Sequence, residues 1–240
     1  MAKKIVVASG KGGVGKSTLT TGLSLNLAAR GKKLLVIDGD IGLRSLDLML
    51  GLRDRVVFDW GDIILNRCER DQALLHSDNL TLLAAPLKAN DRFSRECFRE
   101  LVKAFEDDYE YIIIDAAAGI SGGFRLAVGA ADHGLLVATA DEVSVRSAGI
   151  AAEEMIALGL TEPRLIINRL KKKDVIKGRF LNIDEVIDST GVQLIGVVPE
   201  DADLAHCATS GKPFKEATPG FQALERIAGR ILGENIPLKL

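Results

Sequence analysis

Short apolar runs rich in branched side chains alternate along the chain with longer segments whose apolar positions have helical spacing. Each run is continuous and does not alternate between apolar and polar residues, which is typical of strands buried on both faces of a sheet. The predicted strands are residues 5–8, 34–37, 80–84, 111–114, 135–139, 165–167 and 194–198. Examples of the predicted helices are residues 16–30, 91–106, 143–158 and 219–232. This alternation predicts an α/β fold with a mostly parallel twisted sheet and helices on both faces.

The remaining stretches bear on the domain organisation. Residues 39–62 and 169–181 are the least regular parts of the pattern, and the lysine run at 171–174 is expected to form a solvated loop. No tract rich in proline, glycine or serine divides the alternating pattern. We therefore expect a single domain that spans residues 1–240, with ligands bound at the carboxyl ends of the strands.

Composition and charge exclude several classes of protein. The 31 Lys and Arg residues nearly balance the 33 Asp and Glu residues, and aromatic residues make up 5% of the chain, which disfavours a dedicated nucleic-acid binder. Three separate cysteines, Cys68, Cys97 and Cys207, support neither a disulfide framework nor a structural zinc site. The N-terminal apolar stretch is too short for a signal peptide, and no apolar run reaches the roughly 18 residues that span a bilayer. We therefore expect a cytoplasmic protein.

Residues 10–17, with the sequence GKGGVGKS, fit the GxxxxGK[ST] phosphate-binding pattern. The motif lies between the first predicted strand and the first long helix, which is the context that it requires. Its glycines let backbone N–H groups face a triphosphate, and the helix N-terminus adds its positive dipole end. Lys16 is expected to bridge the β- and γ-phosphates, and the hydroxyl of Ser17 to bind Mg²⁺. The candidate nucleotide-binding residues of the loop are Gly12, Gly13, Val14, Gly15, Lys16, Ser17 and Thr18.

Three carboxylates follow predicted strands and are expected in the same crevice as the loop. Asp38 and Asp40 come after the second predicted strand, and Asp115 ends the fourth, the strand-then-acid pattern of a Walker B element. Asp38 and Asp115, with Ser17, are therefore candidate ligands of Mg²⁺. Asp40 is our candidate for positioning the attacking water, with Lys16 stabilising charge. The alternative for each acid is an ordinary turn residue at a strand end.

A second lysine, Lys11, lies within the loop, and it carries a resemblance to a known family. The sequence KGGVGKS resembles the phosphate loop of the MinD and ParA ATPases, which are P-loop NTPases. In that family the extra lysine reaches across a dimer to the partner's nucleotide, so the resemblance implies a catalytic role for Lys11. The stretches IDGDIGLRSLDLMLG at 37–51 and LIGVVPED at 194–201 are similar to the MinD branch, and the resemblance covers nearly the whole chain.

The resemblance implies an ATPase that forms an ATP-dependent homodimer with Mg²⁺, hydrolyses ATP slowly and helps to place the division septum. It also implies a MinC-like division inhibitor and a MinE-like stimulating protein as partners, and peripheral association with the inner face of the cell membrane. The residues that it places around the adenine base are Asn168, Arg169, Pro199, Glu200 and Asp201. Those that it places at the dimer face are Glu142 and Ser144.

Two segments depart from the family pattern. Residues 116–119, AAAG, lack the small polar residue and the proline of the family, so we expect a less restrained second switch. Residues 233–240 are too short and too broken by Pro237 for the family's amphipathic membrane helix, so we expect no anchor in this chain.

Three alternative functions use a related core. A ParA-like partition ATPase for chromosomes or plasmids would need a basic DNA-binding face. A regulator of flagellar number, or another ATP-dependent switch, would show little turnover. An iron–sulfur carrier would need paired thiolates, and no cysteine closely follows Asp115.

Overall fold

The computed structural model describes residues 1–77, 80–212, 214 and 217–239, and Leu240 of the C-terminal segment lies outside the described residues. The strands are β1 Lys3–Ala8, β2 Leu34–Asp38, β3 Leu74–Ser77, β4 Leu80–Leu83, β5 Tyr111–Asp115, β6 His133–Ala138, β7 Arg164–Leu170 and β8 Leu194–Pro199. The helices are α1 Lys16–Ala29, α2 Leu46–Met49, α3 Trp60–Ile64, α4 Arg95–Lys103, α5 Gly122–Val128, α6 Glu142–Ala157, α7 Lys172–Ile176, α8 Ile183–Thr190, α9 Ala202–Ser210 and α10 Pro219–Ile231. Two short 3₁₀ turns are Arg53–Arg55 and Arg70–Ala73.

The eight strands of the described residues belong to one sheet, in the order β3-β4-β2-β5-β1-β6-β7-β8. Neighbouring strands are parallel except for the edge pair β3 and β4, which is antiparallel. The chain runs from β1 toward one edge of the sheet, crosses back between β5 and β6, and continues toward the other edge. Such a reversal opens a crevice at the carboxyl ends of the central strands, where ligands bind in this class of sheet.

Apolar residues fill a separate core on each face of the sheet. Successive residues of β1 point to opposite faces, so Val6 belongs to one core and Val7 to the other. Helices α4, α5, α6 and α8 cover the first core, and α1, α9 and α10 cover the second. The predicted α/β class, with a mostly parallel sheet between two layers of helices, is confirmed.

Several strand ends differ from the sequence prediction by one to three residues, and larger differences concern β3 and helix α4, which spans Arg95–Lys103 and not 91–106. Strand β3 was not predicted, because it is a short edge strand that ends in the exposed residues His76 and Ser77. Asp115 consequently ends the fifth strand of the chain and not the fourth. Helix α4 begins at Arg95 and not at 91, because Ser94 accepts a hydrogen bond from the N–H of Cys97 at 3.2 Å and caps the helix there.

The two irregular stretches contain short helices. Residues 39–62 include α2 and the start of α3, and α3 begins at a capping box between Asp59 and Asp62. The expectation of a loop at 171–174 is wrong, because α7 starts at Lys172. No helix in the described ranges is long and apolar enough to cross a membrane.

Candidate nucleotide-binding site

The phosphate loop joins β1 to α1 at the carboxyl edge of the sheet. Gly13 and Gly15 have φ angles of 80° and 92°, a left-handed conformation that glycine adopts without steric cost. The backbone N–H groups of Gly13, Gly15 and Lys16 donate to no acceptor among the residues that the structure describes. Because they precede the positive end of α1, these donors form a site for anionic oxygens.

A buried charge cluster lies at the start of α1. Lys16 is 6% exposed, and its Nζ lies 2.9 Å from Oδ1 of the fully buried Asp115. The hydroxyls of Ser17 and Thr20 donate to Asp115 at 2.6 and 2.8 Å. The structure thus brings together the predicted residues Lys16, Ser17 and Asp115. Thr20 was missed, although its position three residues after Ser17 places both on one face of α1.

Asp38 and Asp115 are neighbours in the register of β2 and β5. Burial and the Asp115 charge raise the pKa of Asp38 to about 7, although N–H bonds from Asp40, Ser45 and Leu46 at 3.0–3.1 Å favour its ionised form. The carboxyl of Asp38 is therefore only partly ionised near neutral pH. A cation placed beside it would favour the ionised form.

Asp40 follows Asp38 at the mouth of the crevice and is half-buried. Burial raises the pKa of Asp40, and the Lys16 ammonium partly offsets this effect. The charge of Asp115 also raises the pKa of Asp40. The charges of Lys16 and Asp115 therefore act on the Asp40 carboxyl, and its role in positioning the attacking water stays a prediction.

The oxygen atoms of this crevice fit Mg²⁺ and a nucleotide. A hydroxyl from Ser17 and carboxylates from Asp38 and Asp115 are the hard ligands that Mg²⁺ prefers. No group of three or more His, Cys, Asp or Glu side chains in the described part of the chain could hold a metal ion alone. One hydroxyl and two carboxylates suit an ion that keeps several waters and shares phosphate oxygens with its ligands, as Mg²⁺ does.

Lys11 is held within its own chain. Its side chain is 41% exposed, and Nζ lies 3.4 Å from Oδ1 of Asp141. Asp141 also accepts from the hydroxyl of Thr139 at 2.5 Å and from the N–H of Ser144 at 3.0 Å, where it caps α6. Partial burial raises the pKa of Asp141, but these hydrogen bonds and the Lys11 charge outweigh burial and lower it overall.

Asn168 and Arg169 brace the phosphate loop. The side-chain amide of the buried Asn168 donates to the carbonyl of Val14 at 2.7 Å. The guanidinium of Arg169 donates to the carbonyl of Gly13 at 3.0 Å, and the backbone of Arg169 is left-handed, with a φ of 55°. A Cβ atom at Gly15 would lie 2.4 Å from Nδ2 of Asn168, so the loop and the end of β7 require a glycine there.

The segment that follows β8 lies nearby. Glu200 lines a cavity of about 320 Å³ together with Lys11, Gly12 and Arg169. Pro199 ends β8, and Asp201 caps α9 by accepting from the N–H of Leu204 at 3.0 Å. The other oxygen of Asp201 accepts from the N–H of Gly220 at 2.7 Å. Partial burial raises the pKa of Asp201, but these backbone bonds outweigh burial, so the pKa is lower than usual.

The two residues expected at a dimer face differ in exposure. Glu142 is exposed at the start of α6. The side chain of Ser144 is 2% exposed in the single chain, and its hydroxyl accepts from the N–H of Thr139 at 3.0 Å. Ser144 therefore acts inside the α6 cap. The place of both residues at a dimer face stays a prediction.

The segment after Asp115 is tied to β1 at two points. The N–H of Ala116 donates to Val7, and the N–H of Gly119 donates to Ser9, both at 3.0 Å. Gly119 has a φ of 78°, which closes the turn. The backbone here is thus hydrogen-bonded to the strand that leads into the phosphate loop.

Comparison with known proteins identifies the class that this fold and site define. Residues 5–214 match the family model described as the CobQ/CobB/MinD/ParA nucleotide binding domain, and the chain belongs to that family. Full-length relatives place it in the MinD group. It is 39% identical over 245 residues to the septum site-determining protein MinD of Synechocystis, covering 99% of this chain and 92% of that one. It is 34% identical to the Bacillus subtilis protein of the same name, covering 100% and 92%.

Solved structures agree with this placement. The MinC:MinD cell division protein complex of Aquifex aeolicus has a chain that is 37% identical, with a TM-score of 0.92 and coverage of 100% and 99%. The septum site-determining protein MinD of Pyrococcus horikoshii, complexed with Mg-ADP, is 25% identical, with a TM-score of 0.88 and coverage of 98% and 100%.

Proposed function

We propose that this chain is a MinD-type ATPase that binds Mg-ATP, dimerises with nucleotide and helps to place the division septum. The observation that carries the proposal is the contact of Lys16 and Ser17 with Asp115 beneath a phosphate loop whose N–H groups are free to bind anions. The relative complexed with Mg-ADP supports the choice of nucleotide and metal. The roles of individual residues below are part of the proposal.

Binding begins with exchange of partners at Lys16. Its ammonium pairs with Asp115, and the phosphates of ATP compete for it while the loop N–H groups and the α1 dipole bind their oxygens. Ser17, Asp38 and Asp115 would hold Mg²⁺ there, directly or through water, and the Ser17 hydroxyl would then no longer donate to Asp115. When bound, Mg²⁺ supplies the positive charge that offsets the phosphate charge.

Hydrolysis requires an oriented water and added positive charge. Asp40 lies at the mouth of the crevice and positions the water. Lys11 acts across the dimer, where a cation stabilises the transferring phosphoryl group. Its pair with Asp141 in the same chain must open for that step, and this requirement supports slow turnover that a MinE-like partner stimulates.

The base-binding side uses the segments after β7 and β8. Asn168 and Arg169 already contact the carbonyls of the phosphate loop, so a base held there would be aligned with the phosphates. Pro199, Glu200 and Asp201 form the opposing segment, with Asp201 fixing its backbone through the cap of α9.

The partners follow from the MinD relatives. We propose a MinC-like division inhibitor as a binding partner, in keeping with the likeness to the MinC:MinD complex. We propose a cytoplasmic protein with peripheral association at the inner face of the cell membrane. The likeness to a plasmid partition protein of Borrelia burgdorferi, at 21% identity and a TM-score of 0.75, concerns the fold alone, so partition is the weaker candidate.

Phosphate release tests the ATPase directly. Purified protein with Mg-ATP should release phosphate, and Lys16→Ala should reduce the rate to background because it removes the ammonium that contacts the phosphates. Asp40→Ala should bind ATP but release little phosphate. Equal phosphate release by wild-type protein and Lys16→Ala would show that this site does not hydrolyse ATP, and would favour a protein that acts as an ATP-binding switch.

A further inference from the structure

Trp60, the first residue of α3, contacts the end of the strand that carries Asp38. It is the single tryptophan of the chain and is fully buried. Its backbone N–H donates to the carbonyl of Ala84 at 3.1 Å, and its indole N–H donates to the carbonyl of Asp38 at 2.8 Å. One residue therefore binds the main chain both at the end of β2 and just after β4.

These two bonds lie where the pairing of β2 with β4 stops. The last residues of the ladder are Ile37 and Leu83, and the residues that follow them, Asp38 and Ala84, are fully buried. A buried carbonyl without a donor costs free energy, so carbonyls at the end of a ladder need a new partner. Trp60 supplies one donor to each of the two chains.

Aromatic packing fixes the direction of the indole N–H. The Trp60 ring meets the ring of Phe93 at a centroid distance of 4.9 Å and that of Phe98 at 5.1 Å, both edge to face. The backbone is held as well, because Asp59 caps α3 by accepting from the N–H of Gly61 at 2.9 Å. The indole can therefore hold the Asp38 carbonyl in one place.

The segment that starts at this carbonyl carries both carboxylates of the second strand. The N–H of Gly39 donates to the carbonyl of Asp115 at 2.8 Å, and the N–H of Asp40 donates to the carboxyl of Asp38 at 3.0 Å. A Cβ atom at Gly39 would lie 2.8 Å from the Asp115 carbonyl oxygen, so the two chains approach closely. A shift of the main chain at Asp38 would therefore displace the Asp38 carboxyl and Asp40 together.

We propose that Trp60 is a positioning residue of the Mg-ATP site, whose indole N–H fixes the main chain at Asp38 and so places the Asp38 carboxyl at the metal and Asp40 at the attacking water. This role rests on the proposed function, because Mg²⁺ and water are what the two carboxylates would meet. In the described part of the chain, Trp60 donates no hydrogen bond to the phosphate loop. Phosphate binding by the loop should therefore not depend on the indole.

The variant Trp60→Phe tests the role of the indole N–H, because it keeps an aromatic ring in the cluster but lacks the donor. The probe is ADP labelled with a methylanthraniloyl group and excited directly, titrated in EDTA and in Mg²⁺. Wild-type protein should bind it more tightly in Mg²⁺. Trp60→Phe should lose most of this gain, with binding in Mg²⁺ about tenfold weaker than wild type. Its affinity in EDTA should stay within about twofold of wild type.

Phe98→Leu is the matched control, since it removes volume from the same aromatic cluster and leaves the indole bond intact. It should lower stability toward urea but keep the wild-type gain in affinity from Mg²⁺. An equal loss of the gain in Phe98→Leu, or an undiminished gain in Trp60→Phe, would overturn the role of Trp60 and leave the proposed function standing. If Mg²⁺ brings wild-type protein no gain, the proposed function fails and the role of Trp60 fails with it.

A second measurement needs no change at Trp60, so it applies even if Trp60→Phe does not fold. With a single tryptophan, ¹⁵N-labelled wild-type protein gives one indole N–H cross-peak in a proton–nitrogen correlation spectrum. Addition of Mg²⁺ to the ADP-bound protein should shift this peak, because the metal acts on the residue whose carbonyl the indole binds. A peak that saturating Mg²⁺ leaves unmoved would overturn the proposal.

Discussion

Asp115 receives contacts from three side chains of α1 although it lies about a hundred residues further along the chain. Lys16, Ser17 and Thr20 all reach its two carboxylate oxygens, at 2.6–2.9 Å. The phosphate-loop pattern identified Lys16 and Ser17, and the strand-then-acid pattern identified Asp115. Thr20 has no such motif, because its role depends on the helical spacing of α1 and on the packing of α1 against β5.

The Thr20 hydroxyl should stabilise both the fold and the metal site. Thr20→Val keeps the shape of a fully buried side chain but removes one donor to Asp115, so the free energy of unfolding should fall by about 1–2 kcal/mol. Urea denaturation measures this loss. Thr21→Val is the matched control, since Thr21 donates to the carbonyl of Ser17 instead. Titration with Mg²⁺ and ATP should show weaker binding for Thr20→Val than for wild type, and unchanged binding for Thr21→Val. If both variants weaken binding equally, Thr20 does not belong to the metal site.

Asp38 should make stability depend on pH. Its pKa rises from a usual 3.8 to about 7 on folding, so the folded state holds a proton that the unfolded state has released between these values. Stability of the metal-free protein should therefore decline as pH rises through that window. Asp38→Asn resembles the protonated form. Its free energy of unfolding, relative to that of wild type, should therefore rise by up to about 1.4 kcal/mol per pH unit over the window.

Chemical denaturation at several pH values measures the Asp38 effect. The stability difference between Asp38→Asn and wild type should grow from about pH 4 to about pH 7 and become constant above. A difference that does not vary with pH would show that Asp38 is ionised throughout. The sequence alone could not predict this pKa, because Asp38 and Asp115 become neighbours only when β2 pairs with β5 in the sheet.

At the scale of elements, prediction succeeded where the local pattern was long. The helices α1, α6 and α10 begin and end within about two residues of their predicted bounds, and seven of the eight strands coincide with apolar runs. The sequence prediction gave no bounds for β3 or for the shorter helices α2, α3, α5, α7, α8 and α9, because fewer than three turns give little periodicity. They are specified instead by individual hydrogen bonds, such as those that the N–H groups of Gly178 and Arg179 donate to Val175 and Asp174 at the end of α7, both at 2.9 Å.

The cap of α9 is an element-scale feature that also reaches the first turn of α10, whose own cap is Thr218. Asp201 accepts from Leu204 with one oxygen and from Gly220 with the other, so it ties the two helices together. Asp201→Ala should lower the free energy of unfolding by about 1–2 kcal/mol. Asp201→Asn keeps one accepting oxygen, so its free energy of unfolding should lie between those of Asp201→Ala and wild type.

Urea denaturation of both Asp201 variants tests the caps. Asp188→Ala, an exposed change on α8, should stay within about 0.5 kcal/mol of wild type. If Asp201→Ala unfolds like wild type, the carboxylate has no capping role. The sequence pointed to Asp201 only through its resemblance to a base-binding segment, because the contact with Gly220 spans 19 residues.

On the scale of the whole molecule, the sheet gathers the site from distant segments. Residues from the ends of β1, β2 and β5 meet in one crevice, and the end of β7 braces the loop from the side. The sequence predicted this meeting point because carboxyl ends of parallel strands share one edge of a sheet. It did not predict the pair between Lys11 and Asp141, which joins residues 130 positions apart.

The central claim is that ATP binding at this site joins two copies of the chain, and the molar mass in solution tests it most directly. Light scattering after size exclusion should give twice the monomer mass for Asp40→Ala with Mg-ATP, and the monomer mass with Mg-ADP. Lys16→Ala should remain monomeric with either nucleotide, because it lacks the ammonium that contacts the phosphates. A mass that is the same with ATP and ADP, while ATP binding is confirmed in parallel, would contradict the account.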